Sequence, residues 1–377
     1  VVALARTAAK HGAHIVTGAR VLRANDREAW VDPGSPDAST DANTSTSTST
    51  STSTSTSTST ELRFRARTVI NAAGVWSGDF APELPITPSR GTHLVFPSAL
   101  FGHPRAVMTA PVPGHFGRYV FVLPQSNGLS YLGLTDEPAP GADGYDPGVP
   151  ESDVDFLLDI ANASLDVTLD RSDVLSAFSG LRPLVGSGAD SASASRRHLV
   201  LDSPGAPITV TGGKLTVYRR MAQDAVDVAV RRLGESARSR PAVSRRVPVI
   251  GSPGSEPRSS AARSGSPSDP RTTLVWPGED PDGSIAARLE RVYGWEAPRI
   301  AELAAATPAL QAEIAPGAGI TGAEVAFAAL AEGARSVEDV LERRTRLALD
   351  PELAAAAAPA VREVLEVLRP HSTGSDM

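Results

Sequence analysis

The chain has 377 residues, 41% of them hydrophobic and 21% charged, and a formal net charge of −7 at pH 7. That is the profile of a globular protein with room for two or three cores, and its negative balance argues against a nucleic-acid partner, since no positive field attracts a phosphate backbone. No cysteine occurs, which excludes disulfides, thiolate catalysis and Cys-ligated metal centres, so any redox chemistry needs a bound cofactor.

Residues 1–11 read as a helix with Val1, Leu4, Ala5 and Ala8 on one face and Gly12 placed to stop it. No basic stretch followed by an apolar one marks a signal peptide there, and no apolar run approaches the ~20 residues of a spanning helix. The expected location is cytoplasmic, with at most a peripheral contact on the inner face of the cell membrane. Residues 14–21 alternate like a strand, and residues 63–71 form a second strand ending in Asn71-Ala72-Ala73-Gly74. Between them, residues 44–60 are a strict Ser/Thr alternation with no large apolar side chain to bury. Such a segment cannot offset the entropy of ordering itself, so it is expected to be a disordered expansion of a hairpin loop, removable without loss of the fold.

Short strands are expected at 93–96, 105–108, 119–123 and 129–134, the last two joined by a turn carrying Asn127-Gly128. A helix follows from Ser152, with Asp155 completing a capping box and Phe156, Leu157 and Ile160 as its apolar face. Further strands are expected at 174–178, 199–201 and 208–211. The last runs into Gly212 and Gly213, after which Tyr218, Met221, Ala222, Ala225 and Ala229 repeat at helical spacing. Residues 234–283 are rich in Pro, Ser, Gly and Arg and read as a linker. Beyond them the chain is helical, with capping boxes at Thr321/Glu324 and Ser336/Asp339 and Pro351 in a first-turn position. This predicts a bundle of four or five helices with Leu303, Val325, Leu330, Val340, Leu341 and Leu347 in its core.

Four segments carry chemistry. In the first, a strand ending at Gly212-Gly213 enters a helix through Lys214, Leu215 and Thr216. The first N–H groups of such a helix lack intrahelical partners, and glycine lets a bulky ligand approach. The same pattern also suits a tight turn with an exposed lysine. The second, Ala73-Gly74-Val75-Trp76, is another strand-end turn, equally readable as packing with Trp76 in the core. In the third, Arg182 lies between Leu181 and Pro183, its backbone restrained and its guanidinium fork free for an oxyanion, although most single arginines are surface residues. The fourth places His93 at the start of an apolar strand, where a histidine is more often structural than a base.

Taken together, the runs NAAGVW, SRGTHLVFP, FVLP, GLTD, FSGLRPL, SRRHLV, GGKLTVYRRMA and SVEDVLERRTRLALD resemble the FAD-dependent (aerobic-type) glycerol-3-phosphate dehydrogenases of the DAO-type flavoproteins, from Val1 to about Leu368. The resemblance implies an α/β + α architecture. An incomplete Rossmann-like FAD-binding domain would take residues 1–84 and 181–233, with 33–60 as a low-complexity insert. An antiparallel-sheet substrate domain would take 85–180, and a C-terminal helical domain 284–370. FAD would lie near Gly212, Gly213, Lys214, Leu215 and Thr216, with Ala73, Gly74 and Trp76 supporting it and the strand at Arg20 and Val21 approaching the adenine. Arg182, Arg196 and Lys214 would grip the substrate phosphate, Arg197 being the neighbouring alternative to Arg196. His93 or Lys214 would act on the C2 hydroxyl as hydride leaves for the flavin, giving dihydroxyacetone phosphate. Quinone would take the electrons, no metal is implied, and a homodimer is compatible with the pattern.

The sequence departs from the family in holding no strand–GxGxxG–helix element to seat the FAD pyrophosphate. It therefore reads as N-terminally truncated, and this polypeptide alone is not expected to hold FAD tightly. Two other readings remain beside the dehydrogenase: another DAO-type FAD oxidase, and an inactive copy lacking the pyrophosphate site.

Overall fold

The computed structural model describes residues 1–33, 61–115, 117–142, 144–186, 197–234, 241–253, 255, 274–280 and 283–369. The Ser/Thr tract at 44–60, much of the 234–283 segment and Arg196 lie outside the described residues. Chain order begins with α1 (Val2–Lys10), β1 (Arg20–Ala24), β2 (Glu28–Asp32), β3 (Leu62–Arg65) and β4 (Ile70–Asn71). A 3-10 turn over Gly74–Phe80 leads into β5 (Ile86–Pro97), β6 (Met108–Pro111), β7 (Tyr119–Pro124), β8 (Leu129–Gly133) and β9 (Glu137–Pro138). Next come α2 (Glu151–Ser164), β10 (Ser176–Val185), β11 (His198–Leu201), β12 (Ile208–Gly212) and α3 (Tyr218–Arg232). The C-terminal helices are α4 (Ser284–Tyr293), α5 (Ala297–Ala306), α6 (Gly322–Glu332), α7 (Val337–Leu341) and α8 (Pro351–Leu368). None of the described helices is long and apolar enough to cross a membrane.

Contacts divide the chain into two compact units, one of Val16–Arg245 and one joining Val1–Ile15 to Arg246–Met377. The first helix thus groups with the C-terminal helices, whereas the sequence placed it in the flavin lobe. Its side chains explain the grouping. Arg6 makes a bidentate ion pair with Glu296 at 2.5 and 2.6 Å and lies over the Phe327 ring. Thr7, the buried residue of the helix, accepts the Ile250 N–H at 3.0 Å. Of the expected apolar face, Leu4, Ala5 and Ala8 are half-buried, while Val1 at the end of the chain is 95% exposed.

In the larger unit β1, β2 and β3 form an antiparallel meander, and the β2–β3 pair flanks the 34–60 segment as a hairpin would. A second sheet runs β10-β5-β8-β7-β6, with β9 also on β5. Leu94 and Phe96 of β5, Val122 of β7 and Leu132 of β8 bury one of its faces against Leu157, Leu158 and Ala161 of α2. Asp153, 3% exposed, fixes the start of that helix to the same sheet, accepting from Thr92 Oγ1 at 2.5 Å, Arg90 Nε at 3.1 Å and Thr135 Oγ1 at 3.3 Å. The third sheet is β11-β12-β4, with β12 antiparallel to β11 and parallel to β4.

Several expected boundaries move. The 14–21 strand begins only at Arg20, and 63–71 splits into β3 and β4. Pairing with β7 shifts the 105–108 strand to Met108–Pro111. The 93–96 and 174–178 strands each lengthen, because β5 and β10 pair residue for residue from Ile86↔Val185 to Val95↔Ser176. The second long helix starts at Glu151 with Pro150 at its cap, so Ser152 and Asp155 make no capping box.

In the helical unit, the Thr321/Glu324 capping box and Pro351 in the first turn are present. Ser336 caps α7, but the return bond from Asp339 goes to the Arg335 N–H. Val325, Val340, Leu341 and Leu347 are buried, while Leu330 is 61% exposed on the outer side of α6. Glu324, 1% exposed, does more than cap. Its carboxylate receives Arg288 at 2.7 and 2.5 Å and the Tyr293 hydroxyl at 3.2 Å, besides the Thr321 N–H at 2.9 Å.

Candidate functional site

Antiparallel register puts direct cross-strand partners on one side of a sheet, with alternate residues of each strand sharing that side. The pairs Ser89↔Arg182, Gly91↔Gly180 and His93↔Phe178 therefore share a face of the β5–β10 ladder, and His93↔Gly133 extends it onto β8. This is the face opposite Leu94, Phe96 and α2. His93 and Arg182, four residues apart across the ladder, are thus brought together over a floor of glycines.

Both side chains lie flat on that floor. A Cβ built on Gly133 would sit 2.3 Å from His93 Cδ2, and one built on Gly91 would sit 2.1 Å from Arg182 Nη2. The His93 ring stacks on Phe178 with centroids 5.0 Å apart and planes 7° from parallel. Tyr131 meets the same phenylalanine edge-on at 5.4 Å. Arg182 Nη1 donates to Asp136 Oδ1 at 3.3 Å, and Nη2 donates to the Thr135 carbonyl at 3.2 Å. Asp136, Thr135 and Gly91 were not singled out from sequence as site residues, although the SRGTH and GLTD runs contain them. Only the strand register shows that they meet Arg182.

Burial, reinforced by the nearby Arg182 guanidinium, lowers the His93 pKa from 6.5 to about 4. His93 Nδ1 is buried with no hydrogen-bond partner among the described residues. The imidazole is therefore held neutral at physiological pH. The linkage sign follows. The unfolded chain takes up a proton at His93 near pH 6.5 and the folded chain only near 4, so stability is complete above 6.5 and is lost as pH falls through 4. The loss is on the order of 2–3 kcal/mol. His93→Phe should unfold at nearly the same urea midpoint at pH 4.5 and 7.5 where the parent chain drops between them, after common acid effects are subtracted. Parallel behaviour of the two proteins would remove the histidine from this account.

The second cluster lies at the carboxyl ends of the parallel pair. Ile208↔Ile70 and Thr209↔Asn71 align β12 with β4, so the Ala72-Ala73-Gly74 turn and the Gly212-Gly213-Lys214 turn emerge side by side. In open α/β sheets, ligands bind beyond such ends. Asn71, 6% exposed, ties the region together: its Nδ2 donates to Thr209 Oγ1 and the Ser77 carbonyl, both at 3.0 Å, and its Oδ1 accepts the Ala73 N–H at 3.2 Å.

Gly212 and Gly213 have φ of +71° and +74°, and a side chain on Gly212 would meet the Arg197 carbonyl oxygen at 2.9 Å. Only glycine suits that turn. The 3-10 turn Leu215–Val217 then leads into α3, with the Val217 N–H bonded to the Lys214 carbonyl at 2.9 Å and the Tyr218 N–H to the Leu215 carbonyl, so the N–H groups outside the ladder are those ahead of Val217. Lys214, Leu215 and Thr216 are exposed there, Leu215 to 79%. Trp76 is 37% exposed and meets Tyr145 at 4.7 Å with the ring planes tilted by 40°, so it is not a core residue. Arg20 and Val21 are exposed on β1, which approaches the Gly74–Phe80 turn.

The clusters are adjacent. Val185, the last residue of β10, reaches within 3.5 Å of the Cβ position of Gly212, and Arg182 precedes it by three residues on the same strand. The residues fit a flat, apolar-edged cofactor. Paired glycine turns allow close approach, a helix start offers N–H donors, and a neighbouring sheet face carries an imidazole and a guanidinium.

A profile of the family described as FAD dependent oxidoreductase matches residues 1–219. One described as the C-terminal domain of alpha-glycerophosphate oxidase matches residues 242–372. The chain is 38% identical to "Glycerol-3-phosphate dehydrogenase 1" of Mycobacterium tuberculosis over 93% of its own length and 60% of that protein's. It is 33% identical to the mitochondrial "Glycerol-3-phosphate dehydrogenase SDP6" of Arabidopsis thaliana, over 82% of this chain and 49% of that one. The chain thus spans about half to three fifths of the length of these relatives. The solved glycerol-3-phosphate dehydrogenase of Bacillus halodurans, complexed with FAD, superposes with a TM-score of 0.60 at 24% identity, covering 82% of this chain and 60% of that one. That likeness bears on the fold.

Proposed function

The chain belongs to the FAD-dependent oxidoreductase family, with the C-terminal domain of the glycerophosphate oxidases, and from that premise we propose that it serves the oxidation of sn-glycerol 3-phosphate to dihydroxyacetone phosphate. The observation that carries the reading is the shared sheet face of His93 and Arg182 beside the two glycine turns.

FAD supplies the hydride acceptor when bound, held by Gly212, Gly213, Leu215 and Thr216 with Ala73, Gly74 and Trp76 beside them and Arg20 and Val21 toward the adenine. Arg182 meets the substrate phosphate, joined by Lys214 and by Arg196, and so fixes C2 in one orientation. His93 accepts the C2 hydroxyl proton. Its pKa, lowered by burial and further by Arg182, keeps it unprotonated in the free protein, and a phosphate dianion arriving beside Arg182 offsets the smaller, charge-borne part of that depression, raising its basicity when substrate is present. Lys214 is the second candidate for this proton. Residues 85–180 would carry most of the substrate sheet, with β10 running on to Val185, 181–233 would return to the flavin lobe, and the helical domain would run from 284 on. Quinone as the electron acceptor, a peripheral membrane contact and a homodimer belong to the same reading.

Dye reduction by the FAD-supplied protein tests it. Glycerol 3-phosphate should be oxidised and unphosphorylated glycerol should not. Equal rates with both alcohols would remove phosphate recognition, and with it the assignment of Arg182.

A further inference from the structure

We infer that Gly91 is a positioning residue for Arg182: its bare Cα is the seat on which the guanidinium rests, and Asp136 and the Thr135 carbonyl fix its orientation there. This rests on the reading of Arg182 as the phosphate-binding residue.

A Cβ at Gly91 would fall 2.1 Å from Nη2, 2.7 Å from Cζ and 2.9 Å from Nη1 of Arg182, so the whole plane lies on the glycine. Two edges of that plane are engaged from the side. Nη1 reaches Asp136 Oδ1 at 3.3 Å and Ser89 Oγ at 3.4 Å, and Nη2 reaches the Thr135 carbonyl at 3.2 Å. Ser89 in turn donates to the same Asp136 oxygen at 2.5 Å. A guanidinium held at this height and rotation keeps one orientation, the condition for directional recognition of a phosphate.

The clash is selective. Gly91 sits in an ordinary strand, paired with Gly180. What an added methyl meets is the far end of a flexible side chain and not backbone. Gly91→Ala should therefore fold normally while lifting the guanidinium off its seat and away from Asp136 and Thr135. A glycine kept for strand packing would give the opposite pattern, a stability loss with the anion site intact.

The test is calorimetric titration, with FAD kept in excess, using dihydroxyacetone phosphate, the product, which oxidised flavin does not turn over. Dihydroxyacetone serves as the phosphate-free control. Gly91→Ala should weaken dihydroxyacetone phosphate about tenfold, the worth of one charge-assisted contact, with the melting temperature unchanged. In an Arg182→Ala background the same substitution should change nothing further, since its effect passes through the arginine. Normal affinity in Gly91→Ala alongside weakened affinity in Arg182→Ala would overturn this inference and leave the phosphate reading standing. Normal affinity in Arg182→Ala would overturn both. Equal losses from Gly91→Ala in the two backgrounds would assign the glycine a merely structural role.

Discussion

Arg182→Ala is expected to lower kcat/KM for sn-glycerol 3-phosphate by roughly 10²–10³-fold, the range of two charge-assisted hydrogen bonds to a phosphate in a half-buried site. The loss should appear mainly in KM, because a grip on the non-reacting phosphate holds ground state and transition state alike. On the proposed reading, Lys214 and Arg196 would supply the binding that remains. Asp136, left without the guanidinium, keeps its bond from Ser89 Oγ, so the strand ladder around it should survive and the circular dichroism spectrum should not change. A variant with unaltered KM would take Arg182 out of the substrate site. Steady-state dye reduction over a wide substrate range is sufficient to decide.

Glu324→Gln is expected to destabilise the helical unit by about 3–5 kcal/mol, the usual result of stranding one member of a buried ion pair. Glutamine keeps the shape, so the effect isolates charge. Arg288, with a side chain 19% exposed, now faces two carboxylate oxygens at 2.7 and 2.5 Å and would be left with one neutral amide oxygen and an opposing amide NH2. The Thr321 N–H would exchange a carboxylate acceptor for a weaker amide oxygen. Urea unfolding followed in the helical signal should show an earlier transition, and a midpoint matching the parent chain would mean that the Arg288 charge finds relief elsewhere. Glu324→Leu with Arg288→Met should recover much of the loss, because an apolar pair avoids desolvating either ion.

Local sequence features were legible where short-range chemistry settles the outcome. The Asn127-Gly128 turn closes β7 on β8, with the Gln125 N–H donating to the Leu129 carbonyl at 2.8 Å. Thr321 and Glu324 form the box that their spacing predicts, and Pro351 begins α8. Features set by long-range pairing were hidden. Glu28–Asp32 gives little strand signal in isolation, yet it becomes β2 because β1 and β3 flank it and Trp30 packs beneath the Arg23 guanidinium at 4.5 Å. Ser89-Arg90-Gly91 looks like a loop but is the middle of a twelve-residue strand, because β10 offers a partner along its whole length.

The candidate site divides along the same line. Arg182, His93 and the two glycine turns are visible as residue types in suggestive settings. What brings them together is the β5–β10 register and the β4–β12 parallel pairing, which join segments roughly 90 and 140 residues apart through backbone hydrogen bonds that no local pattern announces. The depressed His93 pKa likewise follows from burial and from a guanidinium that arrives from another strand.

The ion pair between Arg6 and Glu296 spans 290 residues of chain. On a ribosome adding ~5–20 residues per second, about 15–60 s separate the emergence of the arginine from that of its partner. A nine-residue helix is too short to persist alone through such a delay. The nascent α1 therefore lacks these partners until Glu296 and Phe327 are made, so it settles late although it is translated long before them.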